Sequence, residues 1–176
     1  MSVNVSFFGN MPDGKEVRLF TIKNSNGIIL QVITLGATLQ ALYTPDKYGR
    51  VNDITVGFDS LYGHLNFTDY QGKVVGRYAN RIANGSFMMK GKKVQLTQNE
   101  KGKTCLHSAG EFSNAVWDAE PVGNNAVELS YTSPDGASGF EGKMDAKVKS
   151  STAQSATRTR LSTSPTIHIL ISAVRQ

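Results

Sequence analysis

Gly76-Arg77-Tyr78-Ala79-Asn80-Arg81-Ile82-Ala83-Asn84-Gly85, followed one hairpin later by Cys105-Leu106-His107, is the stretch on which the reading of this 176-residue chain turns. Between the two lie Ser86-Phe87-Met88-Met89, then Lys90-Gly91-Lys92, then Lys93-Val94-Gln95-Leu96, which has the form of strand, tight turn and strand. That spacing puts an arginine, an asparagine and a histidine on neighbouring strands of an all-β protein. Guanidinium, amide and imidazole together offer the donors and acceptors that grip a small hydroxylated ligand.

Outward from that stretch the chain keeps the same rhythm of short strands and turns. Val17-Arg18-Leu19-Phe20-Thr21-Ile22 alternates, Asn24-Ser25-Asn26-Gly27 turns, and Ile28 to Ile33 runs apolar and β-branched. Ala126 to Thr132 alternates again and stops at Ser133-Pro134-Asp135-Gly136, a turn written by Pro and Gly. No window keeps a helical apolar stripe for three turns. The expected fold is an antiparallel β-sandwich.

Composition bounds the rest. The length is that of one domain and 39% of residues are hydrophobic, enough for an ordinary core. A single cysteine excludes an internal disulfide framework and suits a reducing compartment. The first ten residues lack the basic and apolar regions of a secretory leader, and no stretch approaches the roughly 20 apolar residues of a spanning helix. A cytoplasmic protein without a membrane partner is the expectation. The net charge of +5 does not point to nucleic acid: residues 1–142 carry 13 basic and 13 acidic side chains, so the whole excess sits beyond them.

Gly76 to Gly85 with Leu106-His107 resembles the aldose 1-epimerase (galactose mutarotase) family, whose members carry G-R-x-A-N-R-I-A-x-G and then L-H-G-G. Leu35-Gly36-Ala37-Thr38, Thr44-Pro45-Asp46, Asp53 to Asp59 and Trp117 follow that family's order, so the resemblance covers residues 5 to 149. It implies the large galactose mutarotase-like sandwich, here incomplete. It also implies an isomerase of carbohydrate metabolism that interconverts the α and β anomers of free aldoses such as galactose and glucose. Ring opening needs a base for the anomeric hydroxyl and an acid for the ring oxygen, and no cofactor or metal. By the resemblance, Asn80, Arg81 and His107 bind the sugar, with His107 auxiliary to the main acid. The family's main acid, the histidine of an N-H-x-Y-F motif, and its base, a glutamate far along a longer chain, have no counterpart in frame; His168 is not that histidine.

Residues 150 to 176 differ in kind, with eleven Ser or Thr and no acid among 27 residues, and only Thr166 to Val174 apolar enough for a strand. A low-complexity linker is one reading. Another is an out-of-frame translation: read from the third base of each codon, one synonymous choice yields N-T-P-V-N-L-T-N-H-S-Y-F-N-L, the family's next motif. The family places a further strand or so between Val148-Lys149 and that motif, so an internal deletion or mis-splicing of a length not divisible by three fits better than one lost base. On that reading residues 1–149 are the N-terminal part of the sandwich domain, 150–176 an aberrant tail, and the truncated chain is impaired. The alternative is a non-catalytic sugar-binding or partly folded fragment.

The remaining notable residues take plainer readings. Arg77 is expected to be structural, His64 to lie in a loop or on the surface, Cys105 to be a buried free thiol, and Trp117 to pack in the core. Ser108-Ala109 stands where the family has Gly-Gly, which puts strain on any loop that needs glycine dihedrals.

Overall fold

The computed structural model describes residues 1–67 and 69–152 and the backbone of residues 167–175. β1 (Ser2–Asn10), β2 (Glu16–Lys23), β3 (Ile29–Ile33), β4 (Thr38–Pro45) and β5 (Val51–Asp53) pair antiparallel in chain order as a five-stranded sheet. Each connection is short because antiparallel neighbours need only a turn. At the expected turn after β2 the Asn24 side chain accepts the Asn26 and Ile28 N–H groups at 2.9 and 3.0 Å, which fixes the reversal locally.

A short helix, α1 (Leu61–Asn66), leads into the segment that carries Gly76 to Gly85. β6 (Arg81–Ala83) pairs with β9 (Thr104–Leu106), and between them β7 (Ser86–Met89) and β8 (Lys92–Gln95) form the expected hairpin. Lys90 and Gly91 both take positive φ, 50° and 77°. That two-residue turn matches the twist of the strands it joins. After α2 (Glu111–Asn114) come β10 (Asp118–Val122), β11 (Ala126–Ser133), β12 (Met144–Thr152) and β13 (Ile167–Arg175), again antiparallel and in order.

Alternation puts Phe20 and Ile22 of β2 and Leu30 and Val32 of β3 in one buried cluster with Val127 and Leu129 of β11 and Ala146 and Val148 of β12. The two large sheets thus pack face to face as a sandwich, each fully buried side chain contributing about 1.5–3 kcal/mol. Trp117 and Phe112 share this cluster; the indole N–H donates to the Phe112 carbonyl at 3.0 Å, and the two rings meet edge to face at 5.4 Å. Trp117 is therefore a core residue, as expected. Residues on the other face of β2 and β3, Val17 and Ile33, bury against Leu35 and Leu61.

His64 overturns its expected place in a loop or at the surface: it is 4% exposed. It lies three residues after Leu61, and α1 brings both to one buried face. Its ring sits beside Phe58 at 5.3 Å and its Nε2 is 2.8 Å from Gln40 Oε1. Burial, with the neighbouring Lys73 ammonium, holds its pKa below the ordinary value.

β12 runs beyond residue 149 to Thr152, with Ser150 and Thr152 buried. The strand expected over Thr166 to Val174 is β13, whose backbone pairs with β12 from Met144↔Arg175 to Thr152↔Ile167. Most of the stretch read as out of frame before that strand, residues 153–166, lies outside the described residues. Among the described residues no helix is long and apolar enough to cross a membrane.

Candidate active site

Antiparallel pairing of β6 with β9 sets Arg81 opposite Leu106, which places Asn80 opposite His107 one step beyond the ladder. The two residues there exchange bonds of an unusual kind. The His107 N–H donates to the Asn80 carbonyl at 3.0 Å, while the Asn80 N–H donates to the His107 ring at Nδ1, also 3.0 Å. A ring nitrogen that accepts carries no proton, so the neutral imidazole holds its proton on Nε2. Burial, then the Arg81 charge, lowers the His107 pKa, and the Glu100 carboxylate opposes them. The Tyr70 ring lies 4.6 Å from the imidazole. Burial, first among several causes, pushes its phenol up.

Arg81 forms an ion pair with Glu100, Nε to Oε2 and Nη2 to Oε1 both at 2.7 Å, and its Nη1 donates to Asn80 Oδ1 at 3.3 Å. Asn80 thus touches both partners, through its side chain to Arg81 and its backbone to His107. The three residues singled out in the sequence are brought together. A cavity of about 500 Å³ opens beside them, walled by Arg81, Ile82, Phe87, Met89 and Phe140. Neither Asn80 nor His107 is on its wall.

Arg77, expected to be structural, donates to five acceptors: Ser133 Oγ at 2.7 Å and the carbonyls of Ser133, Pro134, Glu141 and Gly142 at 2.7–3.3 Å. It ties the segment before β6 to the connection between β11 and β12. Cys105 is 1% exposed and unpaired, and burial pushes its thiol up, away from the reactive thiolate.

From His107 the backbone is left-handed for four residues, with φ of 50° at His107, 51° at Ser108, 56° at Ala109 and 78° at Gly110. Ser108 and Ala109 thus adopt the dihedrals that the family's glycines would supply freely. Ser108 is compensated: its buried hydroxyl accepts the Tyr78 N–H at 2.8 Å and lies 3.1 Å from the Tyr78 carbonyl, to which it donates. Ala109 has no such bond. Ala109→Gly is therefore expected to stabilise the chain by about 0.5–1 kcal/mol, the strain released less the added freedom of the unfolded chain. Ser108→Gly should not gain, because it also deletes the Tyr78 bonds. Urea denaturation of both variants checks this; equal gains would mean that the hydroxyl holds nothing.

The Aldose 1-epimerase family model matches residues 18–162. The chain belongs to the aldose 1-epimerase family. It is similar to the galactose mutarotase of Bos taurus, 39% identical over 146 residues that are 82% of this chain and 42% of the relative. The aldose 1-epimerase of Haemophilus influenzae is 35% identical over 139 residues, 79% of this chain and 40% of that one. The chain thus spans about 42% of the length of its curated relatives. In fold it is similar to the galactose 1-epimerase of Lactobacillus acidophilus, with a TM-score of 0.77 at 21% identity, covering 99% of this chain and 49% of the other. A C. elegans aldose epimerase homologue superposes with a TM-score of 0.70 at 26% identity, over 84% of this chain and 42% of its own. The all-β sandwich expected of an aldose 1-epimerase is the fold found.

Sequence reasoning missed three side chains that gather at this candidate site: Tyr70, Asn99 and Glu100. Asn99 accepts the Leu106 N–H at 2.7 Å and donates to the Leu106 carbonyl at 3.1 Å, steadying the residue before His107. A signal was available. Glu100-Lys101-Gly102-Lys103-Thr104 reads as a tight turn, and Glu100 and Thr104 do exchange backbone bonds at 3.1 Å, which returns Asn99 and Glu100 alongside β9.

Proposed function

We propose that this aldose 1-epimerase homologue handles free aldoses such as galactose and glucose in the cytoplasm, holding the sugar through Asn80, Arg81 and His107. One observation carries the reading. The Asn80 N–H occupies His107 Nδ1, so the neutral ring carries its proton on Nε2, available to the ring oxygen, which must take up a proton as its bond to the anomeric carbon breaks. Arg81, held beside it by Glu100 and Asn80, presents its unused donors to sugar hydroxyls.

Anomer exchange needs a second group, to remove the anomeric proton, and the candidates beside His107 serve poorly. Glu100 is paired with Arg81, whose hydrogen bonds lower its pKa and weaken it as a base. The Tyr70 phenol is pushed up and stays protonated near neutrality. Losing one member of a catalytic unit often costs nearly as much as losing all. The 176-residue chain is thus expected to bind galactose weakly. It should accelerate mutarotation no more than about tenfold over simple buffer catalysis.

Polarimetry on fresh α-galactose tests this, on the parent chain and on the product of a gene with its frame and missing segment restored, with His107→Ala in each. The restored gene is expected to encode a competent epimerase. Robust turnover by the 176-residue chain, abolished by His107→Ala, would show an acid and a base elsewhere in it. Genomic DNA in which no shifted frame encodes N-H-x-Y-F over codons 150 to 176 would end the out-of-frame reading.

A further inference from the structure

An exposed arginine on a three-residue strand is a poor recognition device by itself. Its side chain samples many rotamers, and ordering it on ligand arrival costs affinity. Arg81 is exposed and β6 is only Arg81–Ala83, yet its guanidinium is already committed on one edge. Of five N–H donors, Nε–H and one Nη2–H go to the two Glu100 oxygens and one Nη1–H goes to Asn80 Oδ1. Two donors remain, in a plane fixed by the carboxylate. Fork-to-fork pairing of this kind fixes direction as well as distance.

Glu100 is itself held. Its N–H donates to the Thr104 carbonyl and its own carbonyl accepts the N–H groups of Lys103 and Thr104, all at 3.1 Å. Next to it, Asn99 clasps both backbone groups of Leu106. The same turn therefore anchors the partner of Arg81 and the residue that precedes His107.

We propose that Glu100 is a positioning residue of the sugar site, holding Arg81 by one edge of its guanidinium so that a defined pair of donors faces the ligand beside His107. This rests on the sugar-binding reading above. Among the described residues, the charges that act on the imidazole are Arg81 on β6 and Glu100 before β9, and the titratable Tyr70 ring lies beside it. Arg81 and Glu100 act on it with opposite sign. Glu100 thus has a second readout at His107 that packing alone would not move.

The test is NMR on the whole chain and on Glu100→Gln, Glu100→Asp and Lys101→Gln. In the parent, the Arg81 Nε–H should exchange slowly with water; in Glu100→Gln it should exchange fast, while the His107 ring titrates at lower pH because the Arg81 charge is no longer matched. Glu100→Asp should restore the His107 titration in part, and Lys101→Gln should leave the Arg81 signal in place. Galactose titrated into the same samples should bind about five- to tenfold more weakly to Glu100→Gln than to the parent. An Arg81 Nε–H or a His107 titration unchanged in Glu100→Gln overturns the proposal, as does a Lys101→Gln effect on Arg81 of equal size. If Arg81 and His107 respond but the parent shows no saturable galactose shifts, it is the sugar reading that fails, since the hold of Glu100 on Arg81 is read without sugar.

Discussion

Trp117→Ala is expected to lower stability by about 3–5 kcal/mol, the range for truncating a buried large aromatic side chain. The indole is 1% exposed and lies against Phe112 at 5.4 Å and Tyr131 at 5.5 Å, in the cluster shared by β2, β3, β11 and β12. Its removal leaves a void between two sheets that cannot close without sliding, and it orphans the Phe112 carbonyl. Against a total of about 5–15 kcal/mol for a typical domain, such a loss unfolds a substantial fraction of molecules. Urea denaturation followed by far-ultraviolet circular dichroism measures it. A loss under about 1 kcal/mol would mean that the two sheets do not depend on each other through this residue.

Arg77→Met comes next, with an expected loss of about 2–4 kcal/mol. The substitution keeps the apolar stem and deletes every one of the five donated bonds, leaving Ser133, which is 0% exposed, with two acceptors unmatched. Arg77→Lys should recover little, because an ammonium cannot reproduce a planar fork spread over Ser133, Pro134, Glu141 and Gly142. The damage should be local first. Limited proteolysis is expected to cut the connection between β11 and β12 in Arg77→Met before any other site. If that connection stays as resistant as in the parent chain, Arg77 is not its clamp.

The parts of the fold legible in the sequence were those written in short-range code. The 86–95 hairpin could be read because a glycine free to take positive φ sits in a lysine-flanked turn between two short strand-like runs, and it is that hairpin which returns the chain so that His107 meets Asn80. The turn over Glu100 to Thr104 can be read, but the pairing of Glu100 with Arg81 cannot: an acidic residue in a lysine-rich turn looks like a solvated one, and only the folded chain brings its carboxylate to the guanidinium. His64 was misplaced because α1 is six residues long, too short to leave a periodic signature. The left-handed path through Ser108 and Ala109 runs against the preference of both residues. It is held by tertiary bonds, to Tyr78 from the Ser108 hydroxyl and to the Ser108 carbonyl from Ser138 at 2.7 Å, which no local pattern encodes.

The place of Trp117 has an optical consequence. It is the sole tryptophan of the chain, so the fluorescence excited at the red edge of protein absorption comes from one point, the seam between the two large sheets. Sealed from water and flanked by Phe112 and Tyr131, the indole should emit toward the blue. Parting of the sheets would shift that emission to the red. A spectrum can therefore distinguish a chain whose sandwich has come apart from one that has only loosened at β6 and β9.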